Sequence, residues 1–417
     1  MERHASRPRR TSSVSGTGGG PALLAIVAEG FASRLGLGIV SLALPLYALH
    51  LGMSVAAVGL LISSNVLVQL LAKPMLGSLV DRIGLRRSLL IAITVRSAVP
   101  LALIFAAAPW QLFAVRAGYG LGQAMRDPAL NAVIADLGGK TKVASTFAWY
   151  HTAKNVAASI GRAVAGGLLA LTGSNYPLVF AVSALVSILP VVTVALAVHP
   201  TGGTVVPATA ARTPLAFGRI VPFTGLAFLF GLTAGMMNLF PVIASRYLGL
   251  GPAQIGGIML ATTVVVIVGG PICGWLSDHV SRRLVLGVRA LANGLSSVLY
   301  LLLPGLVGVA VAKSVDDFGK AAFRPAWGSM MAEVASHDPT RRARTMALIE
   351  LGEDGGDALG PILAGALLAV GGLPLMLGVR VAMAVVTEVA AQATDRSLLG
   401  VRTAQAVEVG THSRAQV

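Results

Sequence analysis

Cysteine is nearly missing from this chain. Cys273 is the single one among 417 residues, so an internal disulfide is excluded. Charge is scarce as well: Asp, Glu, Lys and Arg together make up 12% of the residues, about half the share in a soluble domain. Acids are the rarer sign, 17 against 32 Lys and Arg, for a net charge of +15. No His/Cys cluster has the spacing of a metal site, so no metal is expected, although His151 and a run of acids could attract a divalent cation. What is abundant is apolar surface, 55% of residues with a mean hydropathy of +0.78. Such a chain buries that surface in something other than its own core. A bilayer is spanned by about 20 apolar residues, and few segments alternate like barrel strands. The expected class is an all-α membrane protein.

Most Lys and Arg fall in short clusters between apolar runs, which is how topology is encoded; the positive charge therefore does not point to nucleic acid. Apolar runs between Gly, Pro and charge punctuation predict twelve spans: 21–49, 55–79, 88–108, 110–136, 143–172 and 176–198, then 217–246, 253–276, 284–304, 306–335, 343–370 and 372–394. The basic, polar segment 1–20 reads as a disordered tail. The apolar run after it is too long for a signal peptide and has no cleavage site. Residues 199–216, rich in Pro, Gly and Thr, read as a linker between bundles at 21–198 and 217–394, with a tail at 395–417. Loops on the side of the termini hold Arg82, Arg86, Arg87, Lys140, Lys142, Arg282, Arg283, Arg341, Arg342 and Arg344, whereas the opposite loops offer little beyond Arg246. Both termini are thus expected in the cytoplasm, of a bacterial inner membrane.

The chain also repeats itself. "LGMSVAAVG" (51–59) matches "LGLGPAQIG" (248–256) at an offset of 197, which also lays "GSLVD" (77–81) on "GWLSD" (274–278). After a two-residue insertion, "GRAVAGGLLA" (161–170) matches "GPILAGALLA" (360–369). A duplicated six-helix unit in parallel orientation follows.

Gly77, Asp81, Arg82, Gly84, Arg86 and Arg87 in "GSLVDRIGLRR" resemble motif A of the major facilitator superfamily, and "GWLSDHVSRR", with Asp278, resembles its second, degenerate copy. Arg116 in "RAGYGLGQA" resembles that family's motif B. The resemblance covers about 21 to 394 and implies two pseudo-symmetric six-helix bundles around a cavity that opens alternately to each side. It further implies that spans 1, 4, 7 and 10 line the cavity, that spans 2 and 11, and 5 and 8, meet across the halves, and that motif A is a cytoplasmic latch. One departure stands out. Drug-exporting branches carry G-x-x-x-G-P-x-x-G-G on span 5, where "SIGRAVAGG" has Arg162 in place of the proline; Gly352, Gly356, Gly360 and Pro361 on span 11 are the better copy.

Span 11 carries four acids, Glu350, Glu353, Asp354 and Asp357. Each ionised group at mid-bilayer costs about 2.5–3.5 kcal/mol, so four facing lipid would cost on the order of 10 kcal/mol. Their spacing of i, i+3, i+4, i+7 makes one helical stripe, which must face water or counter-charges. In the repeat, His151 falls on Glu350, Lys154 on Glu353 and Asn155 on Asp354: one half is basic where the other is acidic. Lys73 on span 2 is expected near Glu350, in a pair that forms when the cytoplasmic side closes. Span 10 adds Lys313, Asp316, Asp317, Lys320 and Arg324; span 4 adds Arg116, Gln123, Arg126 and Asp127; span 1 adds Glu29 and Arg34. On spans the family uses to line its cavity, these are the expected substrate contacts, although self-pairing explains Asp316, Asp317 and Lys320 equally well. Arg96, Arg289 and Arg380, alone on their spans, read as structural or snorkelling.

A carboxylate in a semi-buried, like-charged cluster can load a proton near neutral pH. Proton coupling is therefore the expected work of Asp354 and Asp357, with Glu350, Glu353 and Glu29 as further candidates. Enzyme motifs fail on context: "DFG" (317–319) lies inside a span, and "GGKT" (138–141) lacks a phosphate loop's first glycine and strand. The expected function is secondary active transport by a monomer without a cofactor, driven by the proton gradient and exporting a small polar or cationic compound. Uptake of an organic anion by symport, favoured by Arg34, Arg116, Arg126 and Arg324, is the alternative. From another class, a non-transporting sensor or scaffold remains open.

Overall fold

The computed structural model describes residues 19–83, 85–138, 143–197, 217–280, 282–336 and 342–414. No strand occurs among them. Residues 1–18 of the expected tail at 1–20 and the whole of the expected linker at 199–216 lie outside the described residues, and Gly19 and Gly20 belong to the first helix rather than to a tail. Helix α1 spans Gly19–His50, α2 Val55–Ile83, α3 Leu85–Ile104, α4 Pro109–Gly138 and α5 Val143–Leu171. Next, α6 (Tyr176–Val186) and α7 (Ile188–Ala197) form one apolar rod interrupted at Ser187. Pro190 explains the break, because it has no N–H for the Val186 carbonyl and crowds it.

The seventh run is less regular. After α8 (Phe217–Gly235) come a 3-10 turn at Met236–Leu239, the short α9 (Phe240–Val242) and a π turn at Ile243–Tyr247. Here Pro241 removes the bond to the Met237 carbonyl. Then follow α10 (Pro252–His279), α11 (Arg282–Leu302), α12 (Leu306–Ser336) and α13 (Arg342–Arg414). The last consists of two arms, because the backbone leaves the helix at Gly371 and at Gly372, where φ is 63° and ψ −161°. Its second arm stays helical to Arg414, past the expected end of the span at 394. The turn glycines echo the sequence repeat: Gly52 and Gly249, 197 apart, both have positive φ, as do Gly173 and Gly372, 199 apart.

Seven helices among the described residues are long and apolar enough to cross a membrane, the whole of Thr345–Ala393 counting as one. Helices α4, α5 and α12 fall short of that standard because they carry Arg116, Arg126 and Asp127, Lys154 and Arg162, and Lys313 to Lys320. Charge inside a span is what a functional cavity requires.

Helices 19–197 pack mainly on one another, as do those of 217–414; the chief crossings are α2 with α13 and α5 with α10. These are the crossings implied for spans 2 and 11 and spans 5 and 8. The largest apolar cluster joins both parts of the chain at the end where α1 turns into α2, with Leu42, Tyr47 and Val58 packed in one core with Met236, Phe240, Ile255 and Leu368. At the other end there are two clusters. One holds Val80, Leu89, Ile93, Met125 and Val194; the other holds Phe223, Phe230, Trp327, Ile349 and Ala391. Among the described residues, the core is continuous across the molecule at one end and divided at the other.

The seam of α8 with the first arm of α13 sets the direction of the acid stripe. A Cβ on Gly356 would lie 2.1 Å from the Phe228 carbonyl oxygen, so the helices meet backbone to backbone, as small residues allow in membranes. Gly352 meets the Thr224 carbonyl in the same way. With that face fixed on α8, Glu353 and Asp357, each one residue or about 100° further round, are turned off the seam. Gly356→Leu is expected to cost at least about 1–3 kcal/mol from overpacking, read as a lower melting temperature in detergent.

Candidate functional site

A cavity of about 630 Å³ lies between the two parts of the chain. From the first part it is lined by Arg34, Asn65, Gln69, Arg116, Tyr119, Gln123, Asn155 and Arg162, and from the second by Asn238, Thr263, Arg289, Lys313, Asp317, Lys320, Glu353 and Asp357. Of the expected site residues, Arg34, Arg116, Gln123, Asn155, Lys313, Asp317, Lys320, Glu353 and Asp357 therefore share one space. Glu350 is exposed. His151, Arg324, Gly77, Asp81, Gly84, Arg86 and Asp278 lie outside the residues whose side chains are described; of the expected latch, Arg82 and Arg87 are exposed.

Several expected cavity residues stand behind the wall instead. Arg126, 3% exposed, donates from Nη2 to both carboxylate oxygens of Glu29, at 2.7 and 2.8 Å, and Glu29 is fully buried. Asp316 is fully buried too, held by Arg380 and, at 2.8 Å, by Lys320 Nζ. Arg380 is no snorkelling residue: it is fully buried and also donates to Asn293, Ser296 and Ser297. Asp127 accepts from Gln123 Nε2 at 2.7 Å and from Gln69 Nε2 at 3.1 Å, beside the cavity. Lys154 is partly buried.

The lining charges differ in how they are neutralised. Lys313 is paired with Asp317, and Lys320 Nζ lies 3.7 Å from the same carboxylate. Arg116 donates to the Ile62 carbonyl at 2.7 Å and to Asn65 Oδ1. Arg162 is held by its own helix, through the Ala158 carbonyl at 3.2 Å and Ser159 Oγ at 3.0 Å. Asp357 accepts a hydrogen bond from Asn238 Nδ2 at 2.9 Å. Asn238 reaches it from the irregular turn before Pro241.

Lys73 reaches across from α2 to Asp354, with Nζ 2.8 Å from Oδ2. Its expected partner is Glu350, one turn nearer the N-terminus of α13. The pair forms although the core is divided at this end, because the flexible lysine stem bridges the gap. Its side chains are 36% and 39% exposed, so Lys73→Met is expected to change stability by less than about 1 kcal/mol, read from unfolding in detergent.

Among the described residues no three His, Cys, Asp or Glu side chains group as a metal site. Sequence reasoning missed Arg162, Arg289 and Asn238 as lining residues. In the sequence Arg162 stands out only as the departure from the exporter motif, and its charge inside a span is the signal for it.

Membrane-spanning helices, charges concentrated on a central cavity and a core sealed at one end are the architecture of a carrier. The sequence pattern of the Major Facilitator Superfamily matches residues 28–226 and 223–393. The chain belongs to this superfamily. It is an integral, multi-pass membrane transporter of small molecules and not an enzyme. Solute carrier family 22 member 18 of Mus musculus is 28% identical over 364 residues, covering 80% of this chain and 86% of that protein. In fold, the chain is similar to an inward-facing, occupied structure of a bacterial homolog to the human lysosomal transporter Spinster, with a TM-score of 0.73 at 18% identity over 91% of this chain and 97% of that one. The nucleoside transporter NupG gives 0.70 at 17% identity over 89% and 99%. A POT family transporter in complex with 5-aminolevulinic acid gives 0.73 at 14% identity over 90% and 96%.

Proposed function

We propose that this superfamily member is a proton-coupled antiporter that exports a small polar or cationic compound across the plasma membrane. The observation that carries the reading is that Asp357, on the cavity wall that Glu353 also lines, accepts its hydrogen bond from the uncharged amide of Asn238. A carboxylate there can bind a cation or a proton but not both, and that competition makes an exchanger. Two six-helix bundles, 21–198 and 217–394, rock about the cavity with both termini in the cytoplasm. The continuous core then closes the outer face, and the divided end faces the cytoplasm, the state in which an exporter loads its cargo. Lys73 and Asp354 join α2 to α13 near that end, a contact between the bundles that breaks and re-forms as they rock. A second reading, uptake of an organic anion by proton symport, draws on the arginines of the lining.

The test is proton flux in liposomes carrying the purified chain and a trapped pH dye. Organic cations added on the side of the termini are expected to draw protons to that side, in exchange for the cation. Proton movement together with added organic anions, and none with cations, would replace export with symport. Saturable transport without proton movement would remove the proton from the mechanism.

A further inference from the structure

We propose that the compound carried is a zwitterion, whose anionic group is received by Arg34 together with Arg162. The inference rests on the transport reading above and names the substrate class of the same cavity.

It starts from a seam. Helices α1 and α5 touch backbone to backbone, since a Cβ on Gly161 would lie 2.2 Å from the Leu35 carbonyl oxygen. Arg34 precedes Leu35 and Arg162 follows Gly161, so the two arginines flank one contact, and both line the cavity. Yet Arg34 makes no hydrogen bond or ion pair among the described residues, and Arg162 is tied to a carbonyl and a hydroxyl rather than to a carboxylate. Asp317, an acid lining the same cavity, is already held by Lys313 and Lys320.

Two neighbouring guanidinium groups in a membrane cavity, without a carboxylate of their own, are costly to keep unless an anion completes them. Their planar donor forks fit a carboxylate in a bidentate way. On the α13 wall the opposite holds: Asp357 has an amide partner and, among the described residues, no ion pair. Cations on the α1–α5 wall and a carboxylate on the α13 wall form a dipole across one cavity. Its volume falls within the roughly 300–1,000 Å³ of small-molecule sites. A ligand with one charge would satisfy one wall and leave the other bare. A ligand with an amine and a carboxylate satisfies both.

The experiment is thermal stabilisation of the full chain in detergent by matched triplets. Each consists of an ω-aminocarboxylate or dipeptide, its methyl ester, which keeps only the cation, and its N-acetyl form, which keeps only the anion. A free zwitterion is expected to bind at least about tenfold more tightly than either derivative, a gap of about 1.4 kcal/mol. In Arg34→Gln and Arg162→Gln the gap between zwitterion and ester is expected to close through loss of zwitterion affinity, while affinity for the cationic ester does not fall. Equal binding of zwitterion and ester to the original chain, no stabilisation by any triplet, or equal losses for zwitterion and ester in the variants would overturn the proposal. The two readings fail separately. Proton flux driven by esters as well as by zwitterions sinks the zwitterion and keeps the exchanger; tight zwitterion binding without proton flux does the reverse.

Discussion

Asp357→Asn is expected to abolish pH-driven transport, down to the level of protein-free liposomes, while leaving the protein folded and able to exchange substrate downhill. The change is nearly isosteric and keeps an oxygen to accept from Asn238 Nδ2, now at 2.9 Å from the carboxylate. It changes only the end of the side chain, so the backbone of Asp357, which lies against Gly231 and Gly235 of α8, keeps its seat in the seam. What it removes is the choice between two charge states. With asparagine the site behaves as if always protonated, so a proton gradient has nothing to act on. In the original chain, raising the pH leaves the carboxylate more often ionised, and cation binding should strengthen; in the variant, binding should be weak and flat with pH. Glu353→Gln lines the same wall and should reduce coupling less, because Asp357 persists. Uphill accumulation surviving in Asp357→Asn would move the proton to another acid, with Glu353 and Asp354 next to be replaced.

The helices were legible because a membrane makes the simplest demand on sequence, long apolar runs. The turn glycines were legible as repeat partners, Gly52 with Gly249 and Gly173 with Gly372. Irregularities inside runs were not. Pro190 and Pro241 sit in stretches that read as continuous spans, and the Asn238 contact depends on the second of them. For the site, spacing found the acid face of α13 but could not fix depth, so Lys73 was placed beside Glu350 rather than Asp354. Spacing also blurred front and back. Asp316 and Asp317 are consecutive and therefore about 100° apart on α12. Both cannot face the cavity: Asp317 lines it and Asp316 points to Arg380. Arg126 lies about 60° round α4 from Gln123, enough to carry it behind the wall to Glu29.

Arg380→Met is expected to lower stability by about 3–5 kcal/mol, the cost of leaving a buried partner charge unpaired. Both Arg380 and Asp316 are fully buried. The guanidinium also closes the hydrogen-bonding groups of α11, donating to Asn293 Oδ1 at 2.9 Å, Ser297 Oγ at 3.0 Å and Ser296 Oγ at 3.2 Å. Lys320, 2.8 Å from Asp316 but 30% exposed in its side chain, can take over part of the charge, which places the loss toward the lower figure. The informative variant is the pair Asp316→Asn with Arg380→Met. Removing both charges removes the desolvation cost with the attraction, so the double variant should recover most of the loss, and a double-mutant cycle should show coupling well beyond about 0.5 kcal/mol. The measurement is the melting temperature and the monodisperse fraction in detergent for the four proteins. Additive losses would mean that Arg380 holds α11 through its hydrogen bonds alone. Coupling would mean that the ion pair fixes α12 against α13, and with it the angle at which Lys313, Asp317 and Lys320 enter the cavity.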